Sequence, residues 1–89
     1  MAEIVKKAYA GTIESSDVYV ELEPNEAGLD IQLESVVLSQ FGDAIRQAAI
    51  EVLEQFGIRN AKVKIIDRGA LDCVIRARVE AAIKRGGEK

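Results

Sequence analysis

The 89-residue chain has no His and no Trp, one Cys, one Pro, two Tyr and two Phe. Without His, the Ser–His and Cys–His nucleophile pairs and every histidine metal site are excluded. A Ser or Cys hydrolase would need Lys or an N-terminal amine as base, and no motif supplies either. A carboxylate-only site for Mg²⁺ or Ca²⁺ stays open, but no loop signature for one is present. A single Cys excludes an internal disulfide, and no secretory apolar segment follows Met1, so a cytoplasmic location is expected. No apolar run approaches the ~20 residues that span a bilayer. Twelve Lys and Arg against fifteen Asp and Glu give a net charge of −3. That balance argues against nucleic acid and anionic membranes as partners.

What is present suits an aliphatic core, with 48% hydrophobic residues. Residues 1–89 are expected to form one domain. Residues 1–10 show no clean period and are expected to be a loosely held N-terminal segment. From Ser16 the period becomes two. Val18, Val20 and Leu22 alternate with Asp17, Tyr19, Glu21 and Glu23, which predicts a half-buried strand. Pro24 to Gly28 reads as a turn. Leu29, Ile31 and Leu33 then repeat the alternation, so the pair reads as an antiparallel hairpin.

Ser35 is the expected N-cap of a helix running to about Phe56. Its apolar face is Phe41, Ile45, Ala48, Val52 and Phe56, widened by Leu38, Ala49 and Leu53. Gly57 is placed to end it in a left-handed conformation. Ala61, Val63 and Ile65 predict a third strand, and Asp67-Arg68-Gly69 a turn. A second helix to about Arg85 follows from Leu71, Val74, Ile75, Arg78, Val79 and Ala82. The expected fold is α+β, two layers in the order β-β-α-β-α. Both helices cover one face of a three-stranded sheet, with strand order 2-1-3. The helix crossover makes the second and third strands parallel to each other.

Each chemically suggestive group has a plain reading beside a functional one. Ser15-Ser16-Asp17 can be a strand entry whose hydroxyls bond to nearby backbone. It can also be an attachment site, since an exposed serine esterified by another enzyme needs no base of its own. If the strand extends back past Asp17, Ser16 points inward with Val18, and Ser15 points outward. Cys73 reads as a small core-filling residue. Arg68, Arg76 and Arg78 read as solvated charges, or as a surface for an acidic partner or a phosphate.

Three segments together resemble one family. They are Gly11-Thr12-Ile13-Glu14-Ser15-Ser16-Asp17, Gln40-Phe41-Gly42-Asp43-Ala44-Ile45-Arg46, and the stretch from Gly69 through Leu71-Asp72-Cys73 to Arg78. In this order they resemble the acyl carrier protein (gamma chain) of citrate lyase, with Ile13 where Leu is usual and Arg68 where Lys is frequent. The resemblance implies a non-catalytic carrier with a 2'-(5''-phosphoribosyl)-3'-dephospho-coenzyme A arm bound covalently to Ser15 through a phosphodiester. It implies that the thiol of the arm holds acetyl and citryl groups during cleavage of citrate to acetate and oxaloacetate. It implies as partners the citrate lyase alpha and beta subunits, a prosthetic-group transferase and an acetate ligase acting on the carrier thiol. The region of Arg68, Arg76 and Arg78 is then a candidate partner surface. The carrier subunit of malonate decarboxylase is the nearer alternative, and a small interaction or regulatory domain the more distant one. The absence of a Gly-x-x-Gly clamp and the scarcity of strand aromatics argue against RNA binding.

Overall fold

The computed structural model describes residues 3–87; the side chains of residues 38 and 39 lie outside the described set. The elements are β1 (Ala8–Gly11), β2 (Val18–Glu23), β3 (Leu29–Ser35), α1 (Leu38–Gln55), β4 (Ala61–Asp67) and α2 (Asp72–Gly86). The strands form one sheet in the order β1-β2-β4-β3. The α+β class and the pairing of one sheet with two helices agree with the sequence. The strand count and order do not.

The extra strand is β1, in the segment expected to be loose. Its alternation is short, with only Ala8 and Ala10 pointing to the core, and Ala carries little strand signal. β1 pairs antiparallel with β2, Ala8 opposite Leu22 and Gly11 opposite Tyr19. Ahead of it, Ile4 is buried, and the N–H groups of Val5 and Lys6 donate to the carbonyl of Gly86 at 2.9 and 3.3 Å. A side chain at Gly86 would press against Ala8 Cβ and Lys6 O, each at 3.3 Å.

The second correction concerns the hairpin. β2 and β3 do not pair with each other, because β4 lies between them. β4 runs antiparallel to β2 and parallel to β3. The parallel relation of β3 and β4 follows from the helix crossover, as expected. Charge explains the insertion. On the open face, β4 sets Lys62 between Glu23 and Asp30, and Lys64 between Glu21 and Gln32. A β2–β3 hairpin would have brought two acidic strands together, and like charges directly opposite destabilise a sheet.

The inward face carries Ala8, Ala10, Val18, Val20, Leu22, Ala61, Val63 and Ile65, all buried. Leu29, Ile31 and Leu33 of β3 are half-buried against the same cluster. Both helices pack on this face through Ile45, Ala48, Ala49, Val52 and Leu53 of α1 and Ile75, Val79, Ala82 and Ile83 of α2. α1 ends as a Schellman motif. Gly57, at φ +73, donates to Glu54 O, and Ile58 donates to Leu53 O, each at 2.9 Å. Ile58 and Leu53 are both buried, which supplies the apolar contact that accompanies this motif.

The helix starts depart from the sequence. α1 is capped at Val37 without a side-chain bond. Ser35 is instead the last residue of β3. Its Oγ donates to Asp67 Oδ2 at 2.8 Å and accepts from Val37 N at 3.1 Å. Phe41 and Leu71, expected on buried stripes, are 54% and 71% exposed. Cys73, expected in the core, is also exposed. Phe41 and Cys73 stand in the first turns of the helices, and Leu71 is the N-cap of α2.

Candidate functional site

The β1–β2 hairpin is closed by residues 12–17, which contain both serines. Glu14 to Asp17 form a turn, with Asp17 N donating to Glu14 O at 3.1 Å. Ser16 has φ +65 and is the one non-Gly residue at positive φ among the described residues. A positive φ at the third position is what a type II turn requires. β2 begins only at Val18, after the turn, so its alternation does not extend to the serines. Ser15 and Ser16 are both exposed, and the expectation of an inward Ser16 is corrected.

Asp17 is the centre of this loop. Its Oδ2 accepts from Thr12 Oγ1 at 2.8 Å, and its Oδ1 accepts from Val18 N at 2.7 Å. Arg78, 61 residues on, reaches across from α2 and donates through Nε and Nη2 to the two oxygens, each at 3.1 Å. Thr12, the Val18 amide and Arg78 hold the Asp17 carboxyl down at about 2, below its ordinary 3.8. Bidentate guanidinium pairing fixes orientation as well as charge. Thr12 Oγ1 also accepts from Glu14 N at 3.2 Å, which ties the hydroxyl into the turn.

The other side of the loop is fastened to residues 67–70. Arg68 N donates to Asp17 O and Ser16 N donates to Arg68 O, both at 2.9 Å. Arg68 Nε donates to Ile13 O at 3.1 Å. Asp67, 1% exposed, organises the base. It accepts from Ser35 Oγ, from Gly69 N at 3.2 Å and from Ala70 N at 2.9 Å. The serine turn is therefore braced from two directions rather than hanging free.

The three candidate arginines have different places. Arg68 and Arg78 join the serine turn. Arg76 does not: it pairs with Glu51 of α1 at 2.8 Å and Asp72 at 2.7 Å. Sequence reasoning missed Thr12, Asp17 and Asp67 as organisers. Asp67-Arg68-Gly69 signalled a turn, but not that the carboxylate would be buried under it. Nothing local in the sequence links Asp17 to Arg78. Among the described residues no group of three or more His, Cys, Asp or Glu could hold a metal ion, and no helix is long and apolar enough to cross a membrane.

A lowered Asp17 acidity has a signed consequence. A depressed carboxyl adds stability that is full above its unfolded value near 3.8 and is lost as pH falls toward 2. Asp17→Asn should remove that part of the acid sensitivity and cost on the order of 1 kcal/mol at neutral pH after solvent screening. Urea unfolding of both proteins between neutral pH and pH 2 checks it. An unchanged difference between the two across this range would contradict it.

A family model described as ACP, malonate decarboxylase delta subunit (MdcD), matches residues 5–86. The "Citrate lyase acyl carrier protein" of Escherichia fergusonii is 52% identical over 88 residues, covering 98% of this chain and 91% of the relative. The chain belongs to the citrate lyase acyl carrier protein family. The same-named protein of Vibrio cholerae serotype O1 is 52% identical over 84 residues, covering 93% of this chain and 86% of the relative. A solved Pseudomonas malonate decarboxylase hetero-tetramer in complex with malonate contains a chain similar to this carrier. It has a TM-score of 0.82 and 26% identity, with 94% of this chain and 87% of that chain covered. The identity to citrate lyase carriers is twice that to this malonate decarboxylase chain. The relatives are named as carriers rather than as catalysts.

Proposed function

We propose that this chain is a single carrier domain of a cytoplasmic citrate lyase, with Ser15 as the residue that bears the covalent arm. The observation that carries the reading is an exposed serine on a turn braced by Asp17, Arg78 and Arg68, in a chain of this family. The residues fit a 2'-(5''-phosphoribosyl)-3'-dephospho-coenzyme A group. Ser15 offers a hydroxyl with open solvent around it, and the Arg68 guanidinium lies against the same loop. When bound, the arm supplies a thiol that carries acetyl and citryl groups as thioesters. The chain's own contribution is to hold the attachment point still and to be recognised. Tethering then gives the carried group a high effective concentration at each enzyme it visits. An activating base is not needed on the carrier, because the prosthetic-group transferase takes the serine proton.

The partners that follow are the citrate lyase alpha and beta subunits, the transferase and an acetate ligase acting on the thiol. The surface from Arg68 to Arg78 is the proposed meeting place. It lies beside the serine turn, and the exposed side chains of Phe41 and Leu71 add an apolar patch at the same end. Arg76 probes this surface without touching the serine turn, whereas Arg78 is bound to Asp17 and its loss would disturb the turn; because Arg76 pairs with Glu51 and Asp72, a melting curve of the variant accompanies the test. Arg76→Glu should weaken assembly or modification about tenfold, a typical cost of ~1.4 kcal/mol at a contacting charge, with an unchanged circular dichroism spectrum. Unchanged binding and modification would remove Arg76 from the surface.

Reconstitution tests the function itself. The modified carrier, added to citrate lyase alpha and beta subunits, should restore oxaloacetate release from citrate. Restoration of malonate decarboxylation by malonate decarboxylase subunits instead would favour the alternative suggested by the structural neighbour.

A further inference from the structure

Two arginines lie at the serine turn, and they are not equivalent. Arg78 spends Nε and Nη2 on both oxygens of Asp17. Arg68 is anchored at Nε alone, on the Ile13 carbonyl. Among the described residues Arg68 enters no ion pair. Its backbone is fixed from both sides by Ser16 and Asp17. A guanidinium carries five N–H donors in a flat fork, so with Nε on the Ile13 carbonyl the terminal nitrogens of Arg68 remain available beside the loop.

The charge around the turn makes this position consequential. Glu14 and Asp17 flank the serines. An anion attached there would meet two carboxylates, and like charges at short range disfavour each other. Arg78 cancels Asp17, and that leaves Arg68 to face the incoming charge. We propose that Arg68 is the anion contact of this turn, holding through its terminal nitrogens the phosphate bonded to Ser15 while Arg78 neutralises Asp17. This inference rests on the reading of Ser15 as the attachment residue. Arg68 is a phosphate-binding and positioning residue; it takes no proton from the serine.

A titration tests it without the transferase or the arm. The carrier is made with phosphoserine in place of Ser15, and its phosphorus resonance is followed against pH. The second ionisation of phosphoserine lies near pH 6, and an adjacent guanidinium favours the dianion. Arg68→Gln should raise that pKa by about half a unit, an approximately threefold change in proton affinity. Arg68→Lys, which keeps the charge, should retain part of the effect. The backbone bonds of residue 68 survive either side chain. Arg68→Met repeats the test with a similar stem should Gln disturb the fold. A pKa within about 0.1 unit of the parent in a folded Arg68→Gln or Arg68→Met protein overturns the proposal. The reading of Ser15 fails separately, through full transferase modification of a Ser15→Ala carrier.

Discussion

Ser15→Ala should receive no prosthetic mass when co-expressed with the transferase, while Ser16→Gly should receive the full mass. The serines are adjacent and both are exposed, so solvent access does not separate them. Their backbones do. Ser15 is the second residue of the turn, and its backbone N–H and C=O enter none of the hydrogen bonds that fasten the loop to residues 67–70. Ser16 sits at φ +65, and its N–H is committed to the Arg68 carbonyl at 2.9 Å. Esterifying Ser16 would load a bulky charged group onto the residue that fastens the loop. Glycine is the right replacement there, because it adopts positive φ without a Cβ penalty. Alanine at Ser16 would keep the left-handed cost that serine already carries there, whereas glycine removes it together with the hydroxyl. Intact-mass spectra give the answer directly. Full modification of Ser15→Ala together with none of Ser16→Gly would reverse the assignment.

Gly11→Ala should be the most damaging single-methyl change in the loop region. Gly11 ends β1 at φ +88, and an added Cβ would lie 1.8 Å from the carbonyl oxygen of Val18 and 3.2 Å from Arg78 Cδ. The first clash is with backbone, so no rotamer change relieves it. The left-handed conformation itself disfavours Ala by ~1–2 kcal/mol. Moving the strand to make room adds ~1–3 kcal/mol of strain. At ~4–8 °C per kcal/mol for a domain of this size, the melting temperature should fall by roughly 10 °C or more. The displaced strand end also carries the serine turn, so modification should slow even where the variant remains folded. Thermal unfolding by circular dichroism measures the first effect. A melting temperature within a few degrees of the parent would show that the β1–β2 closure is not as tight as described.

The contrast between these two positions shows what could be read from the sequence. β2 and β4 were legible because Val18, Val20, Leu22, Ala61, Val63 and Ile65 alternate cleanly, and alternation fixes which face is buried. Gly57 announced the end of α1 for the same local reason. β1 was not legible, because Ala8 and Ala10 are too small and too few to set a period. The strand order was legible only in the charges: Lys62 fits between Glu23 and Asp30, and Lys64 between Glu21 and Gln32, a pairing that hydrophobic alternation does not weigh. Phe41, Leu71 and Cys73 lie at helix starts, where helical spacing continues but the side chains are exposed. At the site, the serine loop was legible as a motif. Its bracing was not, because Asp17 and Arg78 meet only after α2 has folded across the sheet.

The most direct test of the central claim is peptide mapping of the carrier isolated from cells that also make the transferase. Cleavage after Lys7 and Arg46 releases one peptide containing both serines. Fragmentation should place the entire added mass, that of a phosphoribosyl-dephospho-coenzyme A group, on Ser15. A carrier that supports citrate cleavage with Ser15 unmodified would contradict the account.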